Sequence, residues 1–177
     1  CRKTLWEYLG QPEPPMPELH YTTQKPADIV LTERADLFEN LSLFRNIPST
    51  LPLSMEEMDQ AYGYCLYRTY VKGCGCTFPL VINEPRDRVD VFVDDKYVGT
   101  VMRDRENPTI LINLPKGKTT KIELLTENCG RINFGKWISE KKGLPNGVYF
   151  GQRYLFRWEN IPLPFKTLSN LDRVFFC

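Results

Sequence analysis

Glu127–Gly143 (ENCGRINFGKWISEKKG) holds the residues best suited to chemistry in this chain. Two amides (Asn128, Asn133), a cation (Arg131), two aromatics (Phe134, Trp137) and two close glycines (Gly130, Gly135) fall within one loop's length. Polar groups that converge beside an aromatic wall grip small polar ligands. Glycines let such a loop take positive φ or approach a ligand closely. A sugar suits this set: amides and guanidinium pair with its hydroxyl rim, and an indole or phenyl covers its C–H face. The expected carbohydrate-binding residues are therefore Asn128, Arg131, Asn133, Phe134 and Trp137. The plain alternatives are a sheet-edge loop that satisfies its own backbone and aromatics that plug the end of a core.

Other chemistries have less support. A nucleophilic triad needs a positioned histidine, and the only one, His20, lies in a proline-rich lead. Glu123 and Glu127 could act as paired carboxylates, but their spacing is what any strand supplies. No P-loop or GxGxxG occurs. Oxygen-rich stretches at Asp94-Asp95, Glu84–Asp87 and Asp104–Asn107 make Ca²⁺ the metal to consider, although none has EF-hand spacing; solvated turn charges are the simpler reading.

Lys plus Arg number 23 and Asp plus Glu 22, which gives no electrostatic case for nucleic acid or an anionic membrane. No apolar run approaches the length of a membrane span, so no membrane insertion is expected. The six cysteines (Cys1, Cys65, Cys74, Cys76, Cys129, Cys177) contain no CxxC pair. They point to disulfides, whose pairing stays open, and to an oxidising compartment; buried reduced thiols are the alternative. The start at Cys1 reads as a processed or trimmed terminus. Asn40-Leu41-Ser42 is a glycosylation sequon that fits secretion.

The elements that must position the loop are mostly strands. A helix is expected over 2–9 with Leu5, Trp6 and Leu9 on one face, ended by Gly10. Pro12, Pro14, Pro15 and Pro17 then forbid regular structure. A short strand at 26–31, a capped helical turn at 34–40, and a helix from Ser54 with Glu57 completing a capping box follow. Tyr62–Val71, Thr77–Ile82, Arg88–Asp94, Tyr97–Met102, Thr109–Leu114, Thr119–Thr126 and Gly147–Trp158 read as strands, with 173–176 a further candidate. Pro79 suggests a sheet edge, and Asp94-Asp95-Lys96 a hairpin loop of about three residues. Six to eight strands with turns between them predict an all-β sandwich or jelly roll. The expected organisation is an N-terminal helix and extended lead over 1–51 packed on a sandwich over 52–177.

Tyr62–Thr69 (YGYCLYRT), Arg86–Val93 (RDRVDVFV) with Gly99, Leu124–Gly135 (LLTENCGRINFG) and Lys142-Gly143-Leu144 resemble family 35 β-galactosidases. The match is to the first all-β domain after the catalytic barrel, and Leu5–Pro17 and Pro52–Gln60 resemble the approach to it. The resemblance implies a galactose-binding-like jelly roll. It also implies that the catalytic glutamates lie on a barrel absent from these residues, so no position here inherits them and no enzymatic activity is expected of this chain. In the family the loop matching Arg131–Gly135 faces the galactose pocket, with Phe134 at the place of an aromatic near it. The extra cysteines depart from the family pattern. The leading expectation is a secreted, non-catalytic, lectin-like protein that binds galactose-terminated glycans, with Ca²⁺ possible and a homodimer favoured by avidity. The alternative is a structural domain of a β-galactosidase with no binding of its own.

Overall fold

A computed structural model describes residues 2–18, 20–23, 25–104, 108–166 and 168–175. Contacts divide the described residues into two units, one within 2–32 and the other within 33–175. In the first, α1 (Arg2–Leu9) forms as expected. Gly10 ends it with φ 62° and its N–H bonded to Glu7. The prolines that follow run extended, and Arg2 reaches forward to Glu13 at 3.2 Å. The strand expected at 26–31 does not form.

The second unit is the expected all-β sandwich. Its strands are β1 (Glu33–Arg34), β2 (Ile47–Ser49), β3 (Gly63–Lys72), β4 (Cys76–Ile82), β5 (Arg88–Val93), β6 (Lys96–Met102), β7 (Thr109–Leu114), β8 (Thr119–Asn128), β9 (Val148–Phe150), β10 (Arg153–Tyr154), β11 (Trp158–Leu163) and β12 (Val174–Phe175). One sheet runs β2-β11-β3-β8-β5-β6 and the other β10-β9-β4-β7, with β1 and β12 paired apart. Every pairing is antiparallel. The compact unit starts at Glu33, and β2 lies upstream of Pro52.

The period of two in β5 holds: Val89 and Val91 are fully buried while Arg88, Asp90 and Phe92 face the other way. The same alternation in β3 and β8 sends Tyr67, Val71, Ile122 and Leu124 between the sheets, where Leu80, Ile82, Leu114, Val148 and Trp158 meet them. The opposite face of the larger sheet is also covered: Leu66, Ile161 and Leu163 pack with Leu41, flanked by Phe38 and Phe44. That lid is the 34–44 segment. Its turn is capped by Asp36, which accepts from the Phe38 N–H at 2.8 Å.

Several local expectations change for identifiable reasons. The β5–β6 turn has two residues, because Asp94 and Asp95 both take positive φ (46° and 67°), the twist that suits a tight hairpin. The long strand expected at 147–158 breaks at Gly151 into β9 and β10, and β11 begins only at Trp158. Pro79 is not on an edge strand, since β4 lies between β9 and β7. The β9 register ends at Leu80, and the Pro79 carbonyl accepts from Gly151 N–H at 2.8 Å. Its missing N–H therefore points past the end of β9 and costs no ladder bond. The capping box at Ser54–Glu57 forms, with Ser54 N–H donating to Glu57 at 2.8 Å. It opens only a 3-10 turn, Glu56–Met58, which Asp59 ends at φ 58°.

The cysteine expectation divides. Cys74 and Cys76 form a disulfide. Cys65 and Cys129 are free thiols. Cys65 is enclosed in β3, and burial pushes its thiol up to about 12. Cys1 and Cys177 lie outside the described residues. The sequon is also overruled. Asn40 is buried, and its side-chain amide donates to Asp36 at 2.7 Å while accepting from the Asp172 N–H at 2.7 Å. That amide is occupied in tying 36–40 to 172, so the fold does not offer it for glycosylation.

Leu124 is fully buried at the centre of the sandwich. Leu124→Ala is expected to lower the unfolding free energy by about 3 kcal/mol, read as a drop in urea midpoint with an unchanged slope.

Candidate functional site

β8 delivers the Glu127–Gly143 loop at one end of the larger sheet, where β8 pairs with both β3 and β5. Asn128 closes the strand: its side-chain oxygen accepts from Gly130 N–H at 3.0 Å and its amide donates to the Ala61 carbonyl at 3.2 Å. Arg131 donates to the same carbonyl through Nη2 at 3.0 Å and to Glu56 Oε1 through Nη1 at 2.6 Å. Glu56 also accepts from the Lys142 backbone N–H, at 2.9 Å to Oε2. One carboxylate at the 3-10 turn therefore holds both ends of the loop.

Deeper in the fold lies a cluster that the residue types did not announce. The Lys142 ammonium is fully buried and donates to both oxygens of Asp87 at 2.9 Å and to Glu140 at 2.8 Å. Arg103 grips Glu140 with two bonds of 2.8 and 2.9 Å and reaches Asp87 at 2.7 Å. Arg86 Nε approaches Glu140 at 3.2 Å. Asp87 also accepts from the Cys129 N–H at 2.9 Å, on the opposite arm of the loop. The Arg103 fork, assisted by Lys142, holds the Glu140 carboxyl down at about 2 despite its partial burial. The Arg103 guanidinium is raised in turn, first through its bonds to Glu140. Charges removed from water persist only when paired and hydrogen-bonded; the Lys142 ammonium and the Asp87 and Glu140 carboxylates are so held, while Arg86 Nε is paired with Glu140 without a hydrogen bond.

Gly143 follows directly and bridges to both Ser54 and Arg86. Its φ is 95°, and a Cβ there would collide with Tyr67 Oη, which is itself bonded to the Leu53 carbonyl at 2.7 Å. By contrast, Gly130 and Gly135 have open space where a Cβ would stand, with φ of 121° and 92°. They serve backbone conformation in the loop and not close approach to another group.

The five residues named from sequence divide between two tasks. Asn128 and Arg131 bond to Ala61 and Glu56, so much of their donor capacity is spent on the loop itself. Asn133, Phe134 and Trp137 point outward: Phe134 is 89% exposed and Trp137 51%. The Lys136 ammonium lies 5.1 Å from the centre of the Trp137 ring. Trp137 also forms one wall of a shallow groove of about 420 Å3 with Glu84, Arg86, Arg103 and Pro108. Ile138, 63% exposed, adds a third apolar side chain to the outer surface of the loop.

The oxygen-rich turns are met by cations of the chain. Asp94 accepts from Lys118 Nζ at 2.6 Å and Asp95 from Lys121 Nζ at 2.5 Å, while Glu84 pairs with Arg86 at 2.8 Å. Arg105–Asn107 lie outside the described residues. Among the described residues no group of three His, Cys, Asp or Glu side chains is set to hold a metal ion. Glu123 is buried against Arg68 at 2.7 Å and Glu127 meets Arg88 at 3.3 Å, so both carboxylates are ion-paired. No helix among the described residues is long and apolar enough to cross a membrane.

Residues 52–164 match the family described as the first all-beta domain of beta-galactosidase. The chain belongs to that family. A β-galactosidase of Xanthomonas manihotis is 33% identical over 175 residues, covering 96% of this chain and 28% of that protein. Beta-galactosidase 1 of Dictyostelium discoideum is 32% identical over 179 residues, covering 90% and 26%. The human β-galactosidase is 34% identical over 120 residues, covering 66% and 17%. The chain thus spans little more than a quarter of the length of the first two relatives. The matched region of this β-galactosidase domain begins at Pro52 and includes the Glu56 clamp, the Asp87–Lys142 cluster and the exposed loop.

Lys142→Ala removes the cation between two buried carboxylates. It is expected to cost about 3 kcal/mol in chemical unfolding and to speed amide exchange at 129–142 ahead of the β3–β8 pairing. Glu140 should also shape the acid limb of stability. Its carboxyl lies lower in the folded state than its ordinary 4.5. Its stabilisation is therefore complete above about pH 4.5 and drains as pH falls towards 2. Glu140→Gln should flatten that part of the stability–pH curve measured by thermal unfolding.

Proposed function

We propose that this chain is an accessory, non-catalytic domain of a β-galactosidase and that its Glu127–Gly143 loop is a docking and pocket-shaping element for the rest of the enzyme. The observation that carries this reading is the contrast within the loop. Its base is clamped by Glu56 and by the buried Lys142–Asp87–Glu140–Arg103 cluster, while Phe134, Trp137 and Ile138 stand exposed at its tip. Apolar side chains held out by a rigid base suit a surface that meets another protein surface. The short span of the chain relative to its relatives supports the same reading. The missing bulk is where a barrel with its catalytic glutamates would lie, so Phe134 and Trp137 would border a galactoside held elsewhere. The bonds of Asn128 and Arg131 to Ala61 and Glu56 leave fewer donors free for a sugar than an independent lectin site needs. The Cys74–Cys76 disulfide favours an oxidising, extracytoplasmic setting.

Two measurements on the same substitutions test the proposal. Phe134→Ala and Trp137→Ala should change the stability of the 177-residue chain by less than about 0.5 kcal/mol, because both side chains face solvent there. In the polypeptide that carries the barrel, the same changes should lower the unfolding midpoint or raise KM for a galactoside. The isolated chain should give no calorimetric heat with millimolar galactose or lactose, with or without EDTA. Saturable heat that disappears in Phe134→Ala would replace this reading with the lectin one.

A further inference from the structure

A second surface, built from β3 and the β10–β11 connection, gathers three cations in one groove. Many of the sandwich's other cations meet carboxylates: Arg68 meets Glu123 and Glu159, Arg88 meets Asp90, and Lys121 meets Asp95. Lys72, Arg153 and Arg157 have no carboxylate partner among the described residues. All three line one groove of about 360 Å3, together with Tyr70, Tyr154 and Phe156. The carboxylate beside it, Glu159, is engaged by Arg68 at 3.1 Å. The groove continues through Val71, Lys72 and Arg153 into an apolar trough of about 780 Å3 floored by Phe78, Pro79 and Phe150.

The aromatic walls are fixed in place. Tyr154 stacks on Phe156 at 5.5 Å and 25°, and Tyr149 closes on Tyr154 at 4.2 Å. Thr69 Oγ1 donates to the Phe156 carbonyl at 3.0 Å, and the Arg157 N–H donates to the Thr50 carbonyl at 3.0 Å. Arg157 holds φ 64°. That conformation costs a non-glycine residue about 1 kcal/mol or more and persists only where the surroundings impose it. Here it turns Phe156 outward, 51% exposed, between two buried residues, Leu155 and Trp158.

We infer that this groove binds an anionic oligosaccharide, one carrying carboxylate or sulfate groups. Lys72 and Arg153 supply charge-assisted bonds to the anion, and the Arg153 fork suits a planar carboxylate or two sulfate oxygens. Tyr70 and Phe156 offer rings to the C–H faces of the sugars. An acidic peptide fits less well. The β10 edge that would receive it as an added strand is only two residues long, too short for strand addition. The site uses none of the Glu127–Gly143 residues, so its test is independent of the accessory-domain reading.

Calorimetry on the 177-residue chain, with a heparin-derived hexasaccharide and a neutral galacto-oligosaccharide of equal length as probes, decides the matter. The sulfated probe is expected to bind, to weaken as salt is raised, and to bind at least about tenfold more tightly than the neutral one. The double variant Lys72→Gln/Arg153→Gln should lose about tenfold or more. Lys96→Gln, on the β5–β6 hairpin outside the groove, should leave binding unchanged. All three side-chain changes are at exposed positions, and an unaltered thermal midpoint confirms the fold. No binding of the sulfated probe, equal losses in the double variant and Lys96→Gln, or tighter binding of hexaglutamate than of the saccharide would each overturn the assignment.

Discussion

The structure around the loop depends on one ammonium ion, Lys142, sealed from water between Asp87 and Glu140. A buried amine is costly unless each of its protons has a strong acceptor. The fold supplies three acceptor oxygens and then stabilises those carboxylates again with Arg103 and with the Cys129 N–H. Asp87 belongs to the start of β5, Arg103 to the end of β6, Cys129 to the end of β8, and Glu140 and Lys142 to the returning arm of the loop. The ladders already join β5 to β6 and to β8; the cluster ties the returning arm of the loop to the ends of those three strands.

That constraint explains the division of labour along Glu127–Gly143. Near the base Asn128, Arg131, Glu140 and Lys142 have partners inside the protein, and Gly143 lies where any larger residue would strike Tyr67. At the tip the ordering is reversed: Phe134, Trp137 and Ile138 are presented to solvent on a support that cannot readily fold back over them. A hydrophobic tip on a stiff base is poorly suited to gripping a sugar from all sides. It is well suited to meeting a second surface. The membership of the chain in a β-galactosidase domain family, with relatives several times its length, supplies the reason such a surface would exist.

The charge pattern of the sandwich separates two kinds of polar residue. Pairs such as Arg68 with Glu123 and Arg88 with Glu127 cross adjacent strands and are satisfied locally. They also account for carboxylates that would otherwise suggest acid–base chemistry or Ca²⁺. Lys72, Arg153 and Arg157 have no such role, and they fall together beside stacked tyrosine and phenylalanine rings.

Much of the architecture was legible in the residue pattern because strand geometry is local. The alternation of Val89, Val91 and Val93, the aromatic run at Tyr62–Val71 and the Ser54–Glu57 box announce their conformations within a few residues. So did the prominence of the loop, since its glycines, amides and aromatics lie side by side in the chain. Its anchoring was not legible. Glu56, Asp87, Arg103 and Lys142 are each ordinary surface residue types, scattered over nearly ninety positions. Only the pairing of β3, β5 and β8 brings them to one place and excludes water from it. Burial likewise decided that Cys65 stays a free thiol and that Asn40 is a structural amide and not a glycosylation site, and the end of the β9 register decided that Pro79 is tolerated within a sheet. Sequence determines what each stretch prefers to be; the tertiary fold decides which polar atoms lose their water, and hence which must find partners within the protein.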